Sequence, residues 1–154
     1  MPSLLSVDLG LRTGLALFGG DGRLQWYRSQ NFGSRARLKN AANSLLRKHP
    51  ETTHLIIEGG GDLAPPWLRA AERSGVLSRV VDAHTWRQDL LLPRNQRSGS
   101  EAKQAADVLA RRIIDWSGAA RPTSLRHDAA EAILVGAWGV VQLGWLQGLP
   151  SEWR

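Results

Sequence analysis

Residues 4–18 read LLSVDLGLRTGLALF, and this stretch decides the fold. A near-continuous apolar run is typical of a strand that is buried on both faces, and here it contains one carboxylate, Asp8. An ionised carboxylate in such a place costs several kcal/mol to desolvate unless something compensates its charge. Gly10 and Gly14 let the backbone turn tightly and leave room beside Asp8. A metal ion is the simplest compensation, and an Asp that caps a turn is the alternative.

Strands and helices alternate along the rest of the chain. The turn residues 19–22, GGDG, predict that the first three strands form an antiparallel meander. The alternation then predicts an α/β fold, a mixed five-stranded sheet with helices on both faces, as one domain over residues 1–154. The predicted elements are strands within 4–18 and at 24–27, a helix at 34–48, a strand at 53–58, a helix at 65–73, a strand at 76–81, a helix at 85–91, a polar loop at 93–100, and helices at 101–116 and 127–145.

A second carboxylate follows the same pattern as Asp8. Residues 53–58, THLIIE, form an apolar strand that ends in Glu58, and the glycines 59–61 come directly after it. In sheets of this kind, sites form at the carboxyl ends of the strands. Because Asp8 and Glu58 both lie at such ends, we expect them to share one crevice.

Two more acids lie on the last predicted helix. Asp128 and Glu131 are three residues apart, so they project from one helical face, and the alanines around them let the helix approach the sheet closely. Glu131 has Val135 rather than a basic residue at i+4, which disfavours an ion pair on this helix. Taken singly, Asp128 fits a charge that complements the helix dipole and Glu131 fits an exposed surface residue.

Four carboxylates without thiolates favour Mg²⁺ or Mn²⁺ over zinc. Two such ions about 3.5–4 Å apart are the usual device for phosphodiester cleavage. Clustered carboxylates also repel one another, so a bound cation is expected to stabilise the fold. The predicted metal ligands and catalytic acids are Asp8, Glu58, Asp128 and Glu131.

This ordered set of acids resembles the RuvC-type Holliday junction resolvases of the RNase H-like superfamily. The resemblance rests on Val7-Asp8-Leu9-Gly10, on the Ile-Ile-Glu strand that ends at Glu58 and on Asp128-Ala-Ala-Glu131-Ala. It implies an RNase H-like sheet, two Mg²⁺ ions, a homodimer and paired nicks across a four-way DNA junction. It also implies a catalytic and DNA-contacting role for Lys103, whose context is similar to that of the family's basic residue near the scissile phosphate.

The chain departs from that family in two places. The fourth acid is Glu131, where an Asp is more usual, and the family admits a His near Asp128, so His127 is a further candidate ligand. Glycines 59–61 stand where bacterial members carry an aromatic residue that reaches into the junction, and the nearest aromatic here is Trp67.

Charge favours a polyanionic partner. Lys and Arg number 20 against 14 for Asp and Glu, a formal charge of +6, and neutralised phosphates release counterions. Trp67 and Trp86 are candidates for stacking on an opened base. The predicted DNA-binding residues are Arg12, Arg87, Arg94, Arg97 and Lys103.

Composition also excludes some classes of protein. The chain has no cysteine, which rules out disulfides and thiolate metal sites, and no apolar run of membrane-spanning length. Without a basic region ahead of an apolar stretch at the start, we expect a cytoplasmic, nucleoid-associated protein.

Three other functions stay open at this stage. The first is a nuclease of the same superfamily that acts on RNA or on other branched DNA, since groove shape and 2′-OH contacts decide that choice. The second is an actin-like or sugar-kinase ATPase, which also opens with Asp-x-Gly-x-x-x-Gly but needs two such domains. The third is a non-catalytic DNA-binding module, which is expected to have dispersed acids, each paired with an arginine. Cleavage preference and recruitment by a branch-migration motor are not specified by the sequence.

Overall fold

The computed structural model describes residues 1–154. Its centre is a five-stranded sheet in the order β3-β2-β1-β4-β5. The first three strands pair antiparallel with one another, whereas β4 pairs in parallel with β1, and β5 in parallel with β4. The predicted meander and mixed sheet are therefore confirmed. The strands are β1 Ser3–Asp8, β2 Arg12–Gly19, β3 Leu24–Asn31, β4 Thr52–Glu58 and β5 Leu77–Val81.

Five α-helices cover the two faces of this sheet. Serine and aspartate side chains cap three of them, because their oxygens accept a hydrogen bond from a backbone N–H of the first turn: Ser34 for α1, Asp82 for α3 and Ser98 for α4. One apolar core lies beneath α1 and α2, and the other lies beneath α3, α4 and α5. The helices are α1 Arg35–Lys48, α2 Ala64–Arg73, α3 Ala83–Leu90, α4 Gly99–Ser117 and α5 His127–Gln142.

Small residues bring α5 very close to the sheet. A Cβ on Gly14 of β2 would overlap the carbonyl oxygen of Asp128, and a Cβ on Gly136 of α5 would overlap the ring of Phe18. Ser6 of β1 donates a hydrogen bond to the carbonyl oxygen of Ala132 at 2.6 Å. The close approach predicted from the alanines is confirmed, and it fixes α5 against the carboxyl ends of the strands.

Two boundaries differ from the predicted ones. Helix α5 ends at Gln142 rather than near Trp145, because Gly144 adopts a left-handed conformation with φ of +75° and closes the helix. The polar loop at 93–100 contains a 3₁₀ turn, Pro93–Gln96, and gives way to α4 already at Gly99. None of the helices combines the length and the apolar character that a membrane crossing requires.

Candidate active site

Asp8 and Glu58 are direct neighbours at one end of the sheet. They are partners in the parallel register between β1 and β4, each as the last residue of its strand. The Asp8 side chain is partly buried, and Glu58 is only 9% exposed. The backbone N–H of Leu9 donates to the Glu58 carbonyl oxygen at 3.1 Å, and Gly59 turns the chain away with φ of +117°. The predicted placement of the two acids side by side at the strand ends is confirmed.

Asp128 enters this crevice from the first turn of α5. Its Oδ2 accepts a hydrogen bond from the hydroxyl of Ser29 on β3 at 2.9 Å, and its Oδ1 accepts one from the backbone N–H of Ala129 at 2.8 Å. Gly14 provides the space for this turn of α5. Ser29, which the sequence did not single out, therefore fixes the orientation of the Asp128 carboxylate from a neighbouring strand.

Glu131 is the most buried of the four acids, at 3% exposure. Its Oε1 lies 3.0 Å from Nη2 of Arg87 on α3 and 3.0 Å from Nε2 of His127, one helical turn earlier. The alternative interpretation of Glu131 as an exposed surface residue is therefore wrong, and its ion pair is formed with an arginine of another helix. Its i+4 neighbour was not informative, because the pairing residues lie at i−4 and on another helix.

The four acids perturb one another electrostatically. Burial, followed by the charges of Glu58, Glu131 and Asp128, raises the pKa of Asp8 to about 8. Burial and the charge of Glu131 raise the pKa of Glu58 to about 7, although Arg87 opposes this increase. Asp8 and Glu58 are direct neighbours, so the ionisation of one disfavours the ionisation of the other. These four carboxylates thus form one interacting group.

The donor set fits a hard divalent cation. One oxygen each of Glu58 and Glu131, Oε2 in both residues, is buried without a hydrogen-bond partner. Such an oxygen is costly to bury and is a ready ligand for Mg²⁺ or Mn²⁺. As the side chains stand, no three His, Asp or Glu residues form a closed metal-binding cluster. The carboxylates would therefore have to rotate to share one ion.

The predicted basic residues fall into two groups. Arg87 faces the acids, because its guanidinium pairs with Glu131 and lies 5.2 Å from the ring centre of Trp86. The other four residues are exposed and form no ion pair with the acids: Arg12 at the start of β2, Arg94 and Arg97 at the 3₁₀ turn, and Lys103 in the first turns of α4. Their proposed contacts with DNA stay a prediction.

Trp67 and Trp86 are fully buried, each with 0% exposure. The prediction that they stack on an opened base is therefore wrong, because no face of either ring reaches solvent. Trp67 belongs to the core beneath α1 and α2. Trp86 lies under Arg87, and its indole N–H faces Glu58 without completing a hydrogen bond. The sequence suggested that both rings lie on the DNA-facing side, but it did not show whether they are buried in the core or exposed for stacking.

Comparison of the whole structure identifies the fold. RuvC of Thermus thermophilus in complex with a Holliday junction substrate superposes with a TM-score of 0.67 at 16% identity, over 94% of this chain and 96% of that chain. A second Thermus thermophilus RuvC structure gives 0.66 at 16% identity, over 96% and 99%. The chain has the RNase H-like fold of RuvC.

A more distant structure agrees with this fold. The yeast mitochondrial Holliday junction resolvase Ydc2 matches with a TM-score of 0.55 at 12% identity, over 94% of this chain and 81% of that chain. No family model and no curated protein sequence matches the chain. The resemblance to RuvC-type resolvases predicted from the sequence is confirmed at the level of the fold.

Proposed function

We propose that the protein is a divalent-metal-dependent endonuclease that resolves four-way DNA junctions. The observation that carries this proposal is the convergence of Asp8, Glu58, Asp128 and Glu131 at one end of a RuvC-like sheet, with two of their buried oxygens unpartnered. Resolvases of known structure share the fold, and one of them was solved with a Holliday junction substrate. The formal charge of +6 suits a polyanionic substrate.

The four carboxylates would hold Mg²⁺ or Mn²⁺, and the bound cation would supply Lewis acidity toward a phosphodiester. The four acids have three kinds of support within the chain. Asp8 and Glu58 are fixed by the backbone pairing of β1 with β4, Asp128 by Ser29, and Glu131 by Arg87 and His127. These supports keep the four carboxylates close together, which lowers the entropic cost of gathering them around a ligand. His127 is assigned to the support of Glu131 rather than to direct ligation.

Exposed cations outside the acid group would position the nucleic acid. Arg12 follows Asp8 by four residues at the start of β2. Arg94 and Arg97 lie in the segment that leads into α4, and Lys103 lies in the first turns of that helix. Arginine forks pair well with phosphate oxygens, and such contacts fix the register of a substrate without reading its sequence. We assign these four residues to phosphate contacts, and Lys103 to a place near the scissile phosphate.

Paired nicks on a four-way junction need two sites. We therefore propose that two copies of the chain act together on one junction. Light scattering of the protein with and without a four-way junction tests this: two copies per junction are expected, and a single copy that makes both nicks would contradict it.

The arrangement of the acids disfavours the non-catalytic DNA-binding module. That alternative predicted dispersed carboxylates, each paired with an arginine. Only Glu131 pairs with an arginine, while Asp8 and Glu58 lie side by side without one. Retaining two mutually repelling buried acids has no structural benefit, since such a pair destabilises the fold at neutral pH.

The decisive experiment is nicking of a labelled mobile four-way junction in Mg²⁺, compared with Ca²⁺. Linear duplex and an RNA–DNA hybrid serve as substrate controls and separate a junction resolvase from an RNA-directed nuclease. Asp8→Asn, Glu58→Gln and Asp128→Asn should each abolish nicking while junction binding persists. Asp115→Asn is a matched control, because this exposed acid pairs with Arg121 away from the site. Cleavage that survives any of the three site substitutions would falsify the assignment.

A further inference from the structure

Arg87 is the single arginine or lysine in ionic contact with the four acids. Its Nη2 lies 3.0 Å from Oε1 of Glu131, and its positive charge also acts on Glu58, whose pKa it lowers. The residue comes from α3, whereas its acidic partner comes from α5, so the contact is built by the tertiary fold rather than by one helix. The cluster of four acids therefore includes one permanently charged cation, the guanidinium of Arg87.

The chain holds Arg87 in this place. Trp86, the preceding residue, is completely buried, and the Arg87 guanidinium lies 5.2 Å from the centre of its ring. An aromatic face attracts a guanidinium, and a buried neighbour limits the freedom of the backbone. The Arg87 side chain is itself about two-thirds covered, with 31% exposure. Arg87 is thus a partly buried cation that is held beside Glu131, rather than a mobile side chain on the surface.

The unpartnered oxygens show where further positive charge is needed. Glu131 offers Oε1 to Arg87 and His127, which leaves its Oε2 buried and free. Glu58 has a free buried Oε2 as well, and its neighbour Asp8 has no arginine at all. Arg87 thus contacts the Glu131 side of the group directly, whereas no Lys or Arg side chain forms an ion pair with Asp8 or Glu58.

We infer that Arg87 takes the place of one of the two divalent ions expected from the sequence, so that the site binds a single ion on the Asp8–Glu58 side. This inference rests on the proposed metal-dependent function and revises the number of ions. A guanidinium carries one charge and a fixed fork of donors, which suits it to neutralise a buried carboxylate and to face a phosphate oxygen. A second divalent ion next to Glu131 would face repulsion from Arg87.

Calorimetric titration of the full chain with Mn²⁺, without DNA, tests the inference. The wild-type protein should bind one ion tightly. Arg87→Gln removes the charge and should add a second ion, or tighten a weak second site at least tenfold. Arg87→Lys keeps the charge and should retain one ion. Arg111→Gln is the matched control, because it removes an arginine that pairs with Asp107 on the surface of α4, and it should leave the count at one.

Every outcome of the titration decides something. Two tight ions in the wild-type protein, or a single unchanged ion in Arg87→Gln, would overturn the inference. If Arg87→Gln does not fold, the wild-type count alone still decides. Two ions bound to a wild-type protein that still nicks junctions would overturn the role of Arg87 but leave the proposed function intact. No ion in any variant, with no nicking in Mg²⁺, would overturn the proposed function as well.

Discussion

The two ends of the β1–β4 strand pair contain opposite kinds of polar group. At the amino end, the Ser3 hydroxyl donates to Oγ1 of Thr52 at 3.2 Å, and both residues are neutral, buried and hydrogen-bonded. At the carboxyl end, Asp8 and Glu58 are acidic, repel each other and leave a buried oxygen unpartnered. One backbone ladder therefore supports a satisfied pair and an unsatisfied pair some five residues apart.

This difference separates stability from function. A neutral hydroxyl pair contributes about 1 kcal/mol to folding and needs no ligand. An acid pair of this kind lowers the stability of the fold unless a cation binds to it. This behaviour is typical of a binding site rather than of a structural contact. Substitutions at the two ends should therefore have opposite consequences.

The largest expected effect is the loss of nicking when the acid pair is neutralised. Glu58→Gln should reduce junction nicking more than about a hundredfold, because removing a metal ligand lowers activity more than removing a contact that supports a ligand. Thr52→Val at the other end should leave nicking unchanged and lower the free energy of unfolding by about 1 kcal/mol. Nicking assays and urea unfolding measure both. A Thr52→Val variant that lost nicking, or a Glu58→Gln variant that kept it, would break the comparison.

The acid pair also predicts how stability depends on pH. With pKa values of about 8 for Asp8 and about 7 for Glu58, the folded protein binds more protons than the unfolded chain above the ordinary carboxyl pKa near 4. Stability without metal should therefore fall as the pH rises from about 5 to 8, on the order of a few kcal/mol.

Asp8→Asn should remove most of this pH dependence, because it deletes the group with the larger shift. Unfolding curves in a chelator at pH 5, 6.5 and 8 provide the measurement. Stability that rises with pH through this window would show that the two acids are not strained.

Gly14→Ala tests how closely α5 approaches the acid end. The added Cβ would overlap the Asp128 carbonyl oxygen, so the variant should lose about 2 kcal/mol of stability and push α5 away from the sheet. Nicking should fall as well, since Asp128 would shift. Gly118→Ala is a useful control, because its Cβ meets no atom and only the left-handed φ of +73° opposes it. Equal nicking by both variants would contradict the placement of Asp128.

Ser29→Ala should have the smallest effect. It removes one hydrogen bond to Asp128 Oδ2, so nicking should fall about tenfold while stability changes by about 1 kcal/mol or less. Ser29→Thr keeps the hydroxyl and should recover most of the activity. A loss of stability without any loss of nicking would make Ser29 a structural residue only.

Local pattern predicted the acid end of the sheet well. Asp8 and Glu58 each end an apolar strand, and parallel strands align their carboxyl ends, so their pairing follows from the sequence. Asp128 and Glu131 share a helical face for an equally local reason. The end of α5 was predicted too late because Gly144 is a stronger boundary than the apolar pattern that runs on to Trp145.

The contacts around Glu131 were not predictable in this way. Arg87 is 44 residues from Glu131, and nothing in either neighbourhood indicates that α3 and α5 meet there. Ser29 is likewise 99 residues from Asp128. Burial of Trp86 depends on the same packing. Sequence pattern thus locates the acids, while their supporting partners depend on tertiary contacts.

The most direct test of the central claim is anomalous diffraction from a crystal soaked in Mn²⁺. We predict a peak bound by side-chain oxygens of both Asp8 and Glu58, at the carboxyl ends of β1 and β4. A peak elsewhere on the protein, with no metal at these two carboxylates, would contradict the account.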